Sequence, residues 1–347
     1  MPQGLVLISG VNGYIAAVTA KHLLSTGYFV RGTVRNLSSA TSLIEGPLKD
    51  YAASGSFTVV EVPDITVDGA FDEAVKGVTS ILHLASPVSF SFTDPDPIIH
   101  AALDGTKSIL NSALKTGPQL RSFVLLSSIA AIMNSKPAPY TLTESDWNDF
   151  AEAKVAELGT NTPGPVIYAA SKVAAEKAFW KFREDENPNF AMVALCPVFV
   201  TGPPLNPPTT PIAISETIQP IWTIFSGAPH PPAAAGLGFT VDVRDIASLL
   251  SYFISHPKGT DGERYIAKSA YSTSQSIADV LRKAFPDAVG RIVEGAKERG
   301  YRADYQADGE TQVDVDSGKA RKLLESGEWI GYEKSVVDTT KSFVGLV

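Results

Sequence analysis

Tyr168 and Lys172 stand four residues apart in the stretch Tyr168-Ala169-Ala170-Ser171-Lys172. On a helix this spacing puts both side chains on one face, within reach of a common point. A nearby ammonium favours phenolate over phenol and lowers a tyrosine pKa from about 10 towards neutrality. Such a tyrosine can protonate a carbonyl oxygen during reduction, or accept the proton of an alcohol during oxidation. In a chain with 11 tyrosines the spacing arises easily by chance. Its weight depends on whether the chain also offers a hydride carrier and a carbonyl binder.

Gly10-Val11-Asn12-Gly13-Tyr14-Ile15-Ala16 follows an apolar run and opens a helical pattern. Glycines there permit a tight turn and close approach of backbone to phosphate, and the N–H groups at the helix start suit a pyrophosphate. The spacing is G-x-x-G-x-x-A rather than G-x-G-x-x-G, and a plain Gly-rich turn is the alternative. Arg35 follows the second apolar run in Gly32-Thr33-Val34-Arg35. An NAD site usually carries Asp or Glu here, whereas a phosphate on the ribose requires a cation, and Arg can fork onto one. No acid occurs between Arg31 and Ala40. NADPH is therefore expected over NADH, with Arg35 at the phosphate; otherwise Arg35 is a solvated charge. Asp64 can accept from an adenine amino group while Ile65 covers the ring, or Asp64 is a turn residue. His83-Leu84-Ala85-Ser86-Pro87 ends a further run, where small residues let backbone approach a cofactor. His83 is expected as a packed or hydrogen-bonded strand residue before a base.

Ser127 and Ser128 follow another run, and one of these hydroxyls can polarise a substrate carbonyl. Helix capping is the plainer role for either. A serine hydrolase is the competing chemistry, but no G-x-S-x-G elbow occurs.

The elements that would position these residues can be read from apolar patterning. Continuous apolar or β-branched runs at Leu5–Ser9, Tyr28–Val34, Phe57–Val62, Ser80–Leu84, Ser122–Leu126 and Phe190–Cys196 suit strands buried on both faces. Helices are expected between them at Tyr14–Ser25, Val67–Lys76, Pro97–Leu114 and Val166–Arg183, with Gly27 and Gly77 as stop signals. The βαβαβ order implies an α/β fold with a parallel, doubly wound sheet. From Pro197 the chain becomes rich in proline, with Pro203-Pro204, Pro207-Pro208 and Pro231-Pro232. A helix is expected at Ile214–Phe225, and others at Ser274–Ala284 and Ser317–Glu325. The expected division is a nucleotide-binding domain over 1–196 and 239–265, and a smaller, irregular substrate lobe over 197–238 and 266–347. A ligand would lie above the carboxyl ends of the strands.

Composition limits the classes further. A chain of 347 residues, 44% hydrophobic and 19% charged, can bury a large core. Its net charge of −8 argues against nucleic acid and against an anionic membrane surface. No apolar run reaches the roughly 20 residues of a membrane span. Leu5–Ser9 begins almost at the first residue, so no signal peptide is expected. Cys196 is the only cysteine, so no internal disulfide forms, and its expected role is a small residue in a buried strand. A cytoplasmic protein is expected.

The ordered set of motifs resembles the extended branch of the short-chain dehydrogenase/reductases. It includes Gly10–Ala16, Arg35, Asp64-Ile65, the His-x-Ala-Ser-Pro strand end, Ser127-Ser128, Tyr168-x-x-x-Lys172, Cys196–Pro203 and Val241–Asp245. Within the branch the chain is most similar to yeast and fungal NADPH-dependent aldehyde and ketone reductases of the methylglyoxal-reductase type. Plant dihydroflavonol reductases are further away. The resemblance implies a Rossmann fold and an NADP(H)-dependent reductase acting on a small carbonyl substrate, monomeric or homodimeric. It implies Ser128, Tyr168 and Lys172 as catalytic residues, with Tyr168 the proton donor and Lys172 also binding the cofactor. Gly10, Asn12, Gly13, Tyr14, Ile15, Arg35, Asp64, Ile65, Leu84, Ala85 and Ser86 line the expected cofactor site. Pro197, Val200 and Ser215 complete it, and no metal is implied.

Two departures stand out. Ser39 occupies a position where related reductases often carry Lys. Ala101-Ala102-Leu103-Asp104-Gly105-Thr106 lacks an Asn that many relatives use in a proton relay. Candidate apolar walls for the substrate are Phe90, Phe92, Phe199, Trp222 and Phe225, each more readily read as core. A nucleotide-sugar epimerase with tightly bound NAD shares the same Ser, Tyr and Lys, but Pro203–Pro232 contains no Arg or Lys for a diphosphate. A non-catalytic NADPH sensor would not need the Tyr–Lys pair.

Overall fold

The computed structural model describes residues 3–86, 88–89, 91–134, 139–228, 238–294, 300–307 and 313–347. Pro87, Phe90 and Pro231-Pro232 lie outside the described residues. The first strands are β1 (Leu5–Ser9), β2 (Phe29–Val34), β3 (Phe57–Glu61), β4 (Ser80–His83), β5 (Ser122–Leu126) and β6 (Tyr140–Leu142). Six more follow: β7 (Ala191–Pro197), β8 (Phe199–Thr201), β9 (Gly238–Asp242), β10 (Arg264–Ala267), β11 (Ala270–Ser272) and β12 (Val313–Val315).

Seven strands form one sheet in the order β10-β7-β5-β4-β1-β2-β3. Every step from β7 to β3 is parallel. β1 pairs with β2 on one side and β4 on the other, so the winding reverses there. This is the doubly wound, Rossmann-type sheet expected from the α/β pattern. Ligands of such sheets bind at the carboxyl ends of the strands beside the reversal. All residues of β4, β5 and β7 are buried, which is why their sequences read as unbroken apolar runs.

The core beneath this site is built from Phe71, Ile81, Phe123 and Phe179, all fully buried. Two long helices, Pro95–Leu114 and Gly164–Glu186, pack against each other. Asp94 caps the first by accepting from the Asp96 N–H at 3.2 Å, and Pro95 occupies a first-turn position where no backbone donor is lost. The second ends at Asn187, which takes φ +42° and donates its N–H to the Arg183 carbonyl.

Some expected helices differ. Val67–Lys76 is a series of turns, because Gly69 adopts φ +75° and breaks any helical run after two residues. The helix expected from Ile214 begins only at Gln219, and that from Ser317 is limited to Gly318–Arg321. Helices at Asp149–Leu158, Val243–Ser255 and Tyr332–Lys341 were not expected.

The chain divides into two compact units: 1–136, 143–196 and 247–265 in one, and 137–142, 197–246 and 266–347 in the other. Residues 239–246, grouped with the nucleotide-binding part on sequence, belong by their contacts to the second unit. The reason is that β9 pairs with β8 and β11 rather than joining the seven-stranded sheet. In that unit Trp222 packs edge-on to Phe343 at 5.8 Å and Phe225 to Phe285 at 5.3 Å. Both are buried core residues rather than an open wall; Phe199 and Phe92 are half-buried. No helix among the described residues is long and apolar enough to cross a membrane.

Candidate active site

The turn after β1 is shaped by two glycines. Gly10 has φ +67°, and a Cβ on it would lie 3.1 Å from the Ala85 side chain. Gly32 in β2 lies beneath the turn, where a Cβ would fall 2.3 Å from Val11 Cγ1. The Val11 N–H donates to the Thr33 carbonyl at 2.9 Å, tying the turn to β2. Asn12 and Gly13 are exposed, Tyr14 and Ile15 half-buried, and the first turn of the Tyr14–Ser25 helix carries no acid. Ala16 is buried against the sheet. A phosphate-bearing dinucleotide fits this turn: the glycines let the backbone turn tightly without a side chain, and the helix start presents positive polarity.

Arg35 is exposed at the end of β2, and its charge helps hold the Asp64 carboxyl below the usual carboxylate range. The larger cause there is Thr66, whose Oγ1 donates to Asp64 Oδ1 at 2.6 Å and whose N–H donates at 2.8 Å. Ile65 lies against Gly105 of the Pro95–Leu114 helix, where a Cβ would meet Ile65 Cδ1 at 2.9 Å. Ser39 closes a turn capped by Asn36, whose Oδ1 accepts the Ser39 N–H.

At the end of β4, the Leu84 and Ala85 N–H groups each donate to Ser9 Oγ at 2.9 Å. Ser9 Oγ also lies 2.8 Å from His83 Nδ1. Burial, then the Lys172 charge, push the His83 pKa down to about 3, so the imidazole is neutral. His83 is thus the hydrogen-bonded strand residue expected. Ser86 is half-buried beside it.

The two serines after β5 have separate tasks. Ser127 turns inward and its Oγ donates to Glu176 Oε2 at 2.5 Å. Ser128 caps the short Ile129–Ala131 turn by accepting the Ala130 N–H at 3.1 Å, which leaves its O–H to donate. This turn packs against the Gly164–Glu186 helix, which carries Tyr168 and Lys172. Lys172 Nζ lies 5.7 Å from the centre of the Tyr168 ring. Tyr168 is half-buried and Lys172 only 6% exposed. Burial lowers the Lys172 pKa to about 8, opposed by Cys196 and by Glu176. A cleft beside Lys172 is lined by His83, Ala85, Thr106, Leu126 and Ser127.

Residues 6–218 match the sequence profile of the NAD dependent epimerase/dehydratase family. The chain belongs to that family. A Candida albicans relative, whose name assigns it NADPH-dependent methylglyoxal reduction, is 33% identical over 98% of each chain. Aldehyde reductase 2 of Sporidiobolus salmonicolor is 30% identical, covering 99% of this chain and 96% of its own. The solved yeast methylglyoxal/isovaleraldehyde reductase, complexed with NADPH, is 28% identical and superposes with a TM-score of 0.84 over 98% of both chains. The expected resemblance to the extended short-chain dehydrogenase/reductases therefore holds.

In this family member Gly10–Ile15, Leu84–Ser86, Ser128, Tyr168 and Lys172 all belong to the first unit, as do Arg35, Asp64 and Ile65. Pro197, Val200 and Ser215 belong to the second. Pro197 ends β7, and Val200 is buried in β8 opposite Val241. The Ser215 carbonyl accepts the Ile218 and Gln219 N–H groups, starting the following helix. Cys196 is fully buried, and burial raises its thiol pKa well above the usual value. Sequence reasoning missed Glu176 and Arg264. Glu176 repeats the four-residue spacing of Tyr168 and Lys172, a signal present in the chain; Arg264 carries no local signal.

Proposed function

We propose that the protein reduces aldehydes and ketones to alcohols with NADPH. The observation that carries this reading is the Tyr168–Lys172 pair on the helix packed against the Ser128 turn, beside a phosphate-ready glycine turn. The names of the Candida, Sporidiobolus and yeast relatives support the same activity, and those of the Candida and yeast proteins the same cofactor.

When bound, NADPH supplies the hydride. Gly10 to Ile15 hold its pyrophosphate, Leu84 to Ser86 line its path, and Asp64 with Ile65 receive the adenine. Arg35 takes the ribose phosphate by a charge-assisted contact. Ser128 donates its O–H to the substrate carbonyl and polarises it. Tyr168 gives its phenolic proton to the oxygen as negative charge develops there. Lys172 is a cation at pH 7, given a pKa of about 8, and favours the phenolate that Tyr168 becomes.

The experiment is an NADPH-oxidation screen over aldehydes, α-keto esters, diketones and aryl ketones, with chiral analysis of products. Consumption of NADPH with a matching alcohol is expected. If every carbonyl fails while a UDP-sugar is turned over, the epimerase reading replaces this one.

A further inference from the structure

Glu176 is fully buried, yet it is the meeting point of four elements. Its Oε1 accepts from Arg264 Nε of β10 at 2.6 Å and from Trp180 Nε1 at 3.2 Å. Its Oε2 accepts from Ser127 Oγ at the end of β5 at 2.5 Å, with Cys196 Sγ of β7 at 3.7 Å. Lys172 lies one helical turn before it, on the same face as Tyr168. A buried carboxylate without partners would cost several kcal/mol, and this one is matched on both oxygens.

We infer that Glu176 is a positioning residue: its carboxylate keeps Lys172 a cation under Tyr168 and seats the strand end that carries Ser128. This rests on the reading of Tyr168, Lys172 and Ser128 proposed above. Two features separate the role from mere packing. The Arg264 guanidinium is engaged on the far side, donating to the Glu144 and Asp146 carbonyls at 2.7 and 2.8 Å and stacking on Trp147 at 4.0 Å. Ser127, the immediate neighbour of Ser128, has its side chain committed to Glu176 and its N–H to the Leu195 carbonyl.

Among the described groups facing Lys172, Glu176 is the anion. From β4 comes His83, held neutral by burial. From β7 comes Cys196, whose thiol stays protonated at neutral pH because burial raises its pKa. The Pro95–Leu114 helix contributes Ala102 and Thr106 to the adjoining cleft, neither of them titratable. Tyr168 and Glu176 come from the same helix, and Arg264 of β10 adds a cation bound to Glu176. Burial works against the Lys172 charge and Glu176 opposes it.

The test follows the Lys172 titration directly, by NMR of protein labelled on lysine side chains, with Lys172→Arg assigning the signal. Glu176→Gln keeps size and an acceptor for Ser127 but removes the charge. The Lys172 pKa should fall by about one unit, the low end for loss of a close opposite charge, and the alkaline limb of kcat should move down with it. Because Glu176→Gln strands the Arg264 charge and can impair folding, the double variant Glu176→Gln/Arg264→Leu is measured alongside; a smaller fall in the same direction is expected, since a cation leaves with the anion. Ser127→Ala should lower kcat while leaving the Lys172 titration in place. An unmoved Lys172 titration in a folded charge-removed variant overturns the inference, whatever the activity. A uniform loss of kcat with an unmoved pH limb does the same. A Lys172 titration that shifts in a protein reducing no carbonyl would instead sink the functional reading and leave the coupling standing.

Discussion

Lys172 Nζ lies 5.7 Å from the centre of the Tyr168 ring, with the ammonium buried and the phenol half-open. The ammonium is thus shielded while the phenol is reachable. Tyr168→Phe keeps the ring that packs over Lys172 and deletes only the hydroxyl. Turnover should drop at least about a hundredfold, the low end for general-acid removal, with NADPH affinity retained. Steady-state kinetics and fluorescence titration check both halves, and near parental turnover would remove Tyr168 from the mechanism.

Arg35 is exposed and set against the Asp64 carboxylate at the end of β2. Reversing its charge places an acid where a ribose phosphate would sit. Arg35→Glu should invert the ratio of kcat/KM for NADPH over NADH. An unchanged ratio would show that the phosphate is held elsewhere.

Gly32 tests the glycine turn without touching a ligand. Its Cβ would overlap Val11 Cγ1 at 2.3 Å, and Val11 is fully buried. Gly32→Ala should destabilise the fold by about 1–3 kcal/mol, the usual cost of overpacking, and weaken NADPH binding by shifting the turn. Chemical denaturation measures the first effect. Val11→Ala in the same background should recover part of the loss.

Asp245 sets a pH dependence of stability in the second unit. Burial raises its carboxyl to about 7, against an accepted N–H from Ile330 at 2.9 Å. The folded chain therefore binds a proton more tightly than the unfolded chain. Stability should fall as pH rises from about 4 through 7, then level off. Asp245→Asn should flatten that part of the melting-temperature profile, and an identical slope would assign it to other groups.

Much of the fold was readable because its strands are buried on both faces. β4, β5 and β7 have no solvent-facing positions to interrupt an apolar run, and their limits were read to within one residue. The Tyr14–Ser25 and Ser274–Ala284 helices keep their expected limits; Gly27 stops the first, and the structure shows a Thr273–Ser276 capping box opening the second. Val67–Lys76 was misread because a glycine at φ +75° can interrupt a helical pattern without changing its apolar spacing. The buried positions Ile246, Leu249, Leu250 and Phe253 of the Val243–Ser255 helix were there to be read at helical spacing. The partition of Ser127 from Ser128 was not, because it depends on Glu176, 49 residues onward. Arg264 is a further 88 residues beyond Glu176, and only the pairing of β10 beside β7 brings it in.

The contacts of Ser9 settle the electronic state of the β4 histidine. A hydroxyl has one hydrogen and two lone pairs. Both lone pairs of Ser9 Oγ are occupied by the Leu84 and Ala85 N–H groups, so its single hydrogen goes to His83 Nδ1. The His83 ring must then carry its own hydrogen on Nε2, leaving no lone pair to receive another. The imidazole is wired into the chain as a fixed dipole of one tautomer, with no ring nitrogen free to accept a proton beside Lys172.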